Sequence, residues 1–159
     1  MDNEFKEICM AKRVKEIEPS AVEILNPVEI SNLAKLHKTL SSYFFSGAGS
    51  ILSSSSPLLA ILLAYFAMEQ KTYEILALNG LKVTSHVCAI KGLSRVIKNK
   101  ELAAVLSKAY DNRLEVNYLG NIKTAELDRA RAKKFIDETA EPFINEIDKI
   151  ILGIKNKLH

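Results

Sequence analysis

From Leu58 to Met68 the chain runs Leu-Leu-Ala-Ile-Leu-Leu-Ala-Tyr-Phe-Ala-Met, broken only by the hydroxyl of Tyr65. A helix that is apolar on every face has to be covered on every face, so this stretch predicts a central helix. Its ends are marked. Ser56 can accept a hydrogen bond from a first-turn amide, Pro57 suits the first helical position, and Asn79-Gly80 supplies a left-handed stop. Between them fits one helix of about six turns at about 3.6 residues per turn. Spanning a membrane takes about 20 apolar residues, and Glu69, Gln70 and Lys71 arrive before that. Past Glu69 the apolar positions thin to Tyr73, Ile75, Leu76 and Leu78, so the second half is expected to be covered on one side only.

A length of 159 residues with 48% apolar content suits one domain over 1–159, residues 1–20 forming a peripheral N-terminal helix. The formal charge of +3 is modest but unevenly spread: residues 91–134 hold eleven Lys or Arg against five acids. Such a segment is a solvated helical surface or a basic groove for phosphates. Cys9 and Cys88 are too few and too distant for a disulfide scaffold or a Cys-x-x-Cys metal site, so both are expected as reduced thiols. The histidines, His37, His86 and His159, show no ligand spacing with each other or with the cysteines, so no metal or cofactor is implied. With no secretory signal after Met1, a cytoplasmic location is the expectation.

Taken in order, residues 3–17 suit a modest amphipathic helix that either packs on the domain or serves as a dimer arm. Asn26-Pro27 is a second cap-plus-proline signature, and Ile30, Leu33, Leu36, Leu40 and Phe44 form the stripe that the next helix is expected to bury. The turn at Ser53–Ser56 makes this helix and the central one an antiparallel pair. After Gly80 a link leads to a third helix capped by Thr84 or Ser85, with Val87, Ile90, Leu93 and Ile97 inward. Gly92 within it costs about 1 kcal/mol relative to Ala unless close packing needs the missing side chain. A fourth helix over roughly 100–118 buries Leu102, Val105, Leu106, Ala109 and Val116. Leu119-Gly120-Asn121 breaks it, Thr124 can cap the last helix, and Pro142 is expected to kink or split that helix near Glu138–Glu141. The apolar tail after Phe143 is a candidate face for a second subunit. The fold class is therefore all-α, an up-and-down antiparallel bundle of four to five main helices with an extra N-terminal helix.

Arg113 stands out because it lies on the apolar stripe of the fourth helix, where its charge must be paired or opened to a polar cleft. Tyr110 and Asn117 are its helical neighbours, with Tyr118 one step further, a set of donors suited to a phosphorylated ligand. An arginine pinned to Glu69 or Asp111 is the structural alternative. His86 opens the third helix, where it serves as a core or cap-adjacent histidine or as a proton acceptor. Tyr65 and Tyr73 share a face of the central helix as core aromatics with satisfied hydroxyls.

Ala64-Tyr-Phe-Ala-Met68, the Thr84-Ser-His86 step, and Ala109-Tyr-Asp-Asn-Arg113 followed by Asn117-Tyr118 together resemble the HEPN family over roughly residues 30–150. The resemblance implies a helical-bundle homodimer that brings two copies of the arginine segment together. It also implies nucleotide or RNA as ligand and a nucleotidyltransferase-type partner of the toxin–antitoxin kind. Many members are RNases with a histidine four to six residues after the arginine. Here Arg113 matches, but Tyr118, Leu119 and Gly120 stand where that histidine would be. Tyrosine, with a pKa near 10, is a poor base at neutral pH, and Asn117 is none. The resemblance thus implies a binding site at Arg113, Asn117, Tyr118 and Tyr110, with Arg113, Tyr118 and His86 the catalytic candidates. His86 can serve only if folding or dimerisation brings it near Arg113. The alternatives are a divergent metal-independent RNase and a non-catalytic assembly subunit docking through its C-terminal helix.

Overall fold

The computed structural model describes Phe5, Cys9 and residues 22–53, 57–118 and 125–156, with backbone alone at 114–118, 125–128 and 155. The central helix runs Pro57–Leu78, and its C-terminal end is closed by Gly80, whose φ of +80° lets its N–H return to the Ala77 carbonyl at 2.8 Å. In chain order the elements are β1 (Val22–Ile24), α1 (Pro27–Leu52), α2 (Pro57–Leu78), β2 (Leu81–Val83), α3 (His86–Arg95), α4 (Lys100–Tyr118) and α5 (Ala125–Phe135). A π-helical turn at Ile136–Ala140 follows, and then α6 (Glu141–Asn156). This is an all-α helical bundle with one small addition, an antiparallel ribbon in which Val22 pairs with Val83 and Ile24 with Leu81. No helix among the described residues is long and apolar enough to cross a membrane.

Asn26 caps α1 through a reciprocal box: its side chain accepts from the amides of Val28 and Glu29, while Glu29 accepts from the Asn26 amide. The face α1 buries is centred beside the stripe its large apolar residues mark: Ile30, Leu33, Leu40 and Phe44 are only partly buried. Ala34, Ser41 and Ala48 lie fully inside and Leu36 is exposed. Small residues let two helix backbones approach closely, and Ser41 uses that approach to donate to the Ala67 carbonyl of α2 at 2.8 Å. The larger side chains flank the seam. Likewise α3 buries Cys88, Ala89, Gly92 and Leu93 and leaves Val87 exposed. A Cβ at Gly92 would lie 2.8 Å from both Leu76 methyls, so close packing explains this glycine.

The second half of α2 is covered far more completely than its composition suggests. Glu69, Lys71, Thr72 and Glu74 are buried along with Ile75, Leu76 and Ala77. Polar groups tolerate this when paired. Lys71 donates to Glu74 and to Asp148 of α6, each at 2.7 Å, and Thr72 donates to the Met68 carbonyl. Burial alone would lower the Lys71 pKa, but the two carboxylates outweigh it and hold the ammonium above its ordinary value.

Pro142 has its expected effect slightly upstream. Helix α5 loosens into the π turn, where the Glu141 amide reaches back to the Ile136 carbonyl, and α6 restarts with the proline in its first turn. The tail does not need a second subunit to cover it: Phe143, Ile147 and Ile151 are buried in this chain's own core with Ala60, Met68 and Ile75.

The structure chooses between the alternatives for the N-terminal segment and corrects the expectation for the cysteines. Phe5 and Cys9 are buried against Val22, Leu76, Leu81, Val83 and Cys88, so at these residues the segment packs on the domain. Cys9 and Cys88 are not free thiols but a disulfide, with Cα atoms 5.7 Å apart. Wide spacing rules out a local motif but not a bridge between elements that the fold brings together. Most of residues 3–17, Ser54–Ser56, the break at 119–121 and Thr124 lie outside the described residues, as do the side chains of Val116 and Leu127.

Candidate functional site

Three elements meet at one cluster. Helix α2 contributes Tyr65 and Glu69, one turn apart and so on one face. The ribbon strand β2 leads directly into α3 and sets His86 at its first position. Here Ser85 occupies the capping position without a side-chain bond, leaving the start of the helix to its neighbours. Helix α4 contributes Tyr110 and Arg113.

The hydrogen bonds fix the histidine's tautomer. Glu69 Oε1 is bonded to His86 Nδ1, and the Tyr65 hydroxyl donates to the same carboxylate at 3.0 Å while lying 3.2 Å from Nδ1. On the other side of the ring, Arg113 Nη1 stands 3.3 Å from Nε2. A guanidinium only donates, so Nε2 is the acceptor and Nδ1 carries the proton toward the carboxylate. The imidazole thus turns its lone pair to a cation, with a buried carboxylate behind it. A carboxylate behind one ring nitrogen orients a histidine for proton transfer at the other.

The arginine sits among aromatic rings. Its guanidinium carbon lies 5.3 Å from the centroids of Tyr65 and Phe66 and 5.8 Å from that of Tyr110. Each such contact contributes about 0.5–2 kcal/mol depending on desolvation. Its Nε is buried and has no hydrogen-bond partner among the described residues. An unpaired buried donor is costly, so the guanidinium is held with bonding capacity unused.

Glu69 also shapes the tyrosines. Burial first, and then the adjacent Glu69 charge and hydrogen bond, push the Tyr65 hydroxyl far above its ordinary pKa, with Arg113 acting in the opposite direction. Tyr73 is raised by burial and then by Glu69 as well. Both hydroxyls therefore stay protonated as donors at neutral pH. Beyond Tyr73, the His37 ring lies 5.3 Å away and its Nδ1 is 2.7 Å from Gln70 Oε1.

Arg113 and Tyr110, singled out together in the sequence, and His86, singled out apart from them, are brought together, with His86 and Tyr110 ring centroids 5.2 Å apart. Arg113 is linked to Glu69 through the His86 ring. Asn117 and Tyr118 belong to the last turn of α4, and their side chains lie outside the described residues. Glu69 is the residue that sequence reasoning undervalued. Its signal was present: a carboxylate one turn after Tyr65 and one before Tyr73, directly following the all-apolar run of a central helix, needs partners if that turn is buried. A separate groove of about 430 Å³ between α4 and the π turn, lined in part by Leu102, Val105, Lys108, Glu138 and Phe143, shares no residue with this cluster.

Comparison with protein-family models and with curated proteins finds no match for this chain.

Proposed function

We propose that this chain is a HEPN-like helical protein that binds RNA or a nucleotide through a phosphate at the Arg113–His86 cluster. The observation that carries the reading is the Arg113 guanidinium, held among three rings against the His86 Nε2 acceptor, its buried Nε without a partner among the described residues. A phosphate meets the needs of that group better than an imidazole does, because it is itself an anion and its oxygens can take two parallel N–H bonds from the guanidinium fork. The sequence resemblance supports the wider part of the proposal, a homodimer acting with a nucleotidyltransferase-type partner in a toxin–antitoxin pair.

A second reading, a divergent metal-independent RNase, is favoured by one specific distance, the 3.3 Å between Arg113 Nη1 and His86 Nε2. When the guanidinium turns to a phosphodiester, Nε2 is released beside it. It can then take the proton from a ribose 2′-hydroxyl, whose oxygen attacks the adjacent phosphorus to close a 2′,3′-cyclic phosphate as the P–O5′ bond breaks and the departing 5′-oxygen takes a proton from water. His86 would so fill the role for which positions 118–120 hold no histidine, with Glu69 stabilising the imidazolium.

Both readings are tested with one set of proteins: wild type, Arg113→Ala and His86→Ala, with a labelled single-stranded RNA in EDTA. Binding weakened about tenfold or more in Arg113→Ala supports the phosphate site, since a bond to a charged group contributes about 1.5–3 kcal/mol. Cleavage by wild type and by neither variant supports the RNase. Unchanged affinity in a folded Arg113→Ala protein removes the site.

A further inference from the structure

A file of aromatic rings leads from the surface into the cluster. Tyr43 of α1 is 73% exposed. Its ring centroid lies 6.0 Å from that of Phe44, which lies 5.7 Å from that of Phe66. Phe66 is one of the three rings around Arg113, at 5.3 Å. Phe44 and Phe66 are both only half buried, and so are Tyr110 and His86 at the far side of the arginine. Phe45 and, at the inner end of the file, Phe66 pack against the hydrophobic core, whereas Tyr43 points its large ring into solvent. None of the contacts is a parallel stack, which would hide one ring's face against another: the planes are tilted by 66° at Tyr43–Phe44 and by 42° at Phe44–Phe66.

We propose that Tyr43, Phe44 and Phe66 form a stacking track for the bases of single-stranded RNA whose phosphate is held at Arg113. The inference rests on the phosphate-site reading above and narrows its ligand class. Two features select this occupant. The file ends on a guanidinium, so whatever lies along the rings must carry an anion at one end, as a strand of nucleotides does and an apolar peptide does not. The rings are separated by steps of nearly equal length, which suits successive bases that are unstacked and splayed onto protein side chains. A duplex keeps its bases paired inside and offers them no such faces.

The test uses a labelled single-stranded RNA about eight nucleotides long, the same sequence as a duplex, and a dinucleotide short enough to occupy the Arg113 end alone. Proteins are wild type, Tyr43→Ala, Phe44→Ala, Phe44→Tyr and Arg113→Ala. Tyr43→Ala and Phe44→Ala are expected to weaken single-strand binding about five- to a hundredfold each. Dinucleotide binding should stay as in wild type, Phe44→Tyr should restore the single-strand affinity, and the duplex should bind more weakly than the strand. Single-strand affinity unchanged in Tyr43→Ala and Phe44→Ala but lost in Arg113→Ala overturns the track and leaves the phosphate site standing. Affinity unchanged in all variants, or absent in wild type, overturns both. If light scattering shows that Tyr43→Ala converts a dimer to a monomer, the file is an interface between copies of this chain and the track is overturned.

Discussion

His86 Nε2 accepts from Arg113 Nη1 at 3.3 Å while its Nδ1 faces the buried Glu69 carboxylate. The ring therefore carries a proton on Nδ1 and is clamped between a carboxylate and a guanidinium supplied by different helices. Nitrogen chemical shifts of the His86 ring are expected to report the Nδ1–H tautomer in wild type. Glu69→Gln should lose that preference without unfolding the protein, because the amide oxygen is a weaker acceptor. A dominant Nε2–H tautomer in wild type would contradict the assignment.

Lys71 is 4% exposed and Glu74 equally so, with the half-exposed Asp148 as second partner. Lys71→Met strands Glu74 in the core and is expected to destabilise by about 3–5 kcal/mol. Lys71→Met combined with Glu74→Leu should be more stable than Lys71→Met alone, because the stranded charge is gone. Urea unfolding of the two proteins distinguishes these outcomes, and equal stability would mean that Glu74 finds another partner.

Gly92→Ala should be destabilising although alanine is the better helix former by about 1 kcal/mol. The new methyl would meet both Leu76 methyls at 2.8 Å inside the core, and overpacking costs about 1–3 kcal/mol. Adding Leu76→Val is expected to recover part of the loss. Thermal unfolding of Gly92→Ala at or above the wild-type midpoint would show that Leu76 moves aside freely.

The Cys9–Cys88 bridge closes a loop with a sequence separation of 79 and holds the N-terminal segment two residues from His86. Loop-closure entropy places its contribution at about 4–5 kcal/mol, an upper figure since measured bridges give about 2–4. Reductant should lower the unfolding midpoint of wild type and leave a Cys9→Ala/Cys88→Ala protein unaffected. Equal midpoints with and without reductant would contradict the bridge.

Alkaline pH should weaken the fold. Tyr65 and Tyr73 have raised folded pKa values, chiefly from burial, against an ordinary value of 10.0, and Lys71 is raised above 10.5 by its carboxylates. For all three the unfolded chain loses its proton first. Their contribution is therefore complete below about pH 10 and falls as pH rises through the folded values. Tyr65→Phe with Tyr73→Phe should flatten the alkaline limb of a stability curve.

The bounds of α2 and the break before Pro142 were legible because caps, prolines and glycines act locally. Facing was less so. Leu36 and Val87 fall on apolar stripes yet are exposed, because the real seams run through Ala34, Ser41 and Ala48 and through Gly92, residues too small to weigh in a hydrophobic pattern. The β1–β2 ribbon and the disulfide join residues about 60 and 79 apart, and no periodicity reports such pairs. Arg113 was conspicuous as a charge among apolar neighbours. Its pairing with His86 required the link after Gly80 to deliver α3 beside α4, a tertiary fact.

The most direct measurement follows the His86 ring nitrogens by NMR while a single-stranded RNA dinucleotide is added. Binding at the cluster draws the Arg113 donors to the phosphate, so the Nε2 resonance should move with saturation while Nδ1 stays bonded to Glu69, and neither should move in Arg113→Ala. Ring nitrogens that stay unchanged at RNA concentrations where binding is complete would contradict a phosphate site at Arg113 and His86.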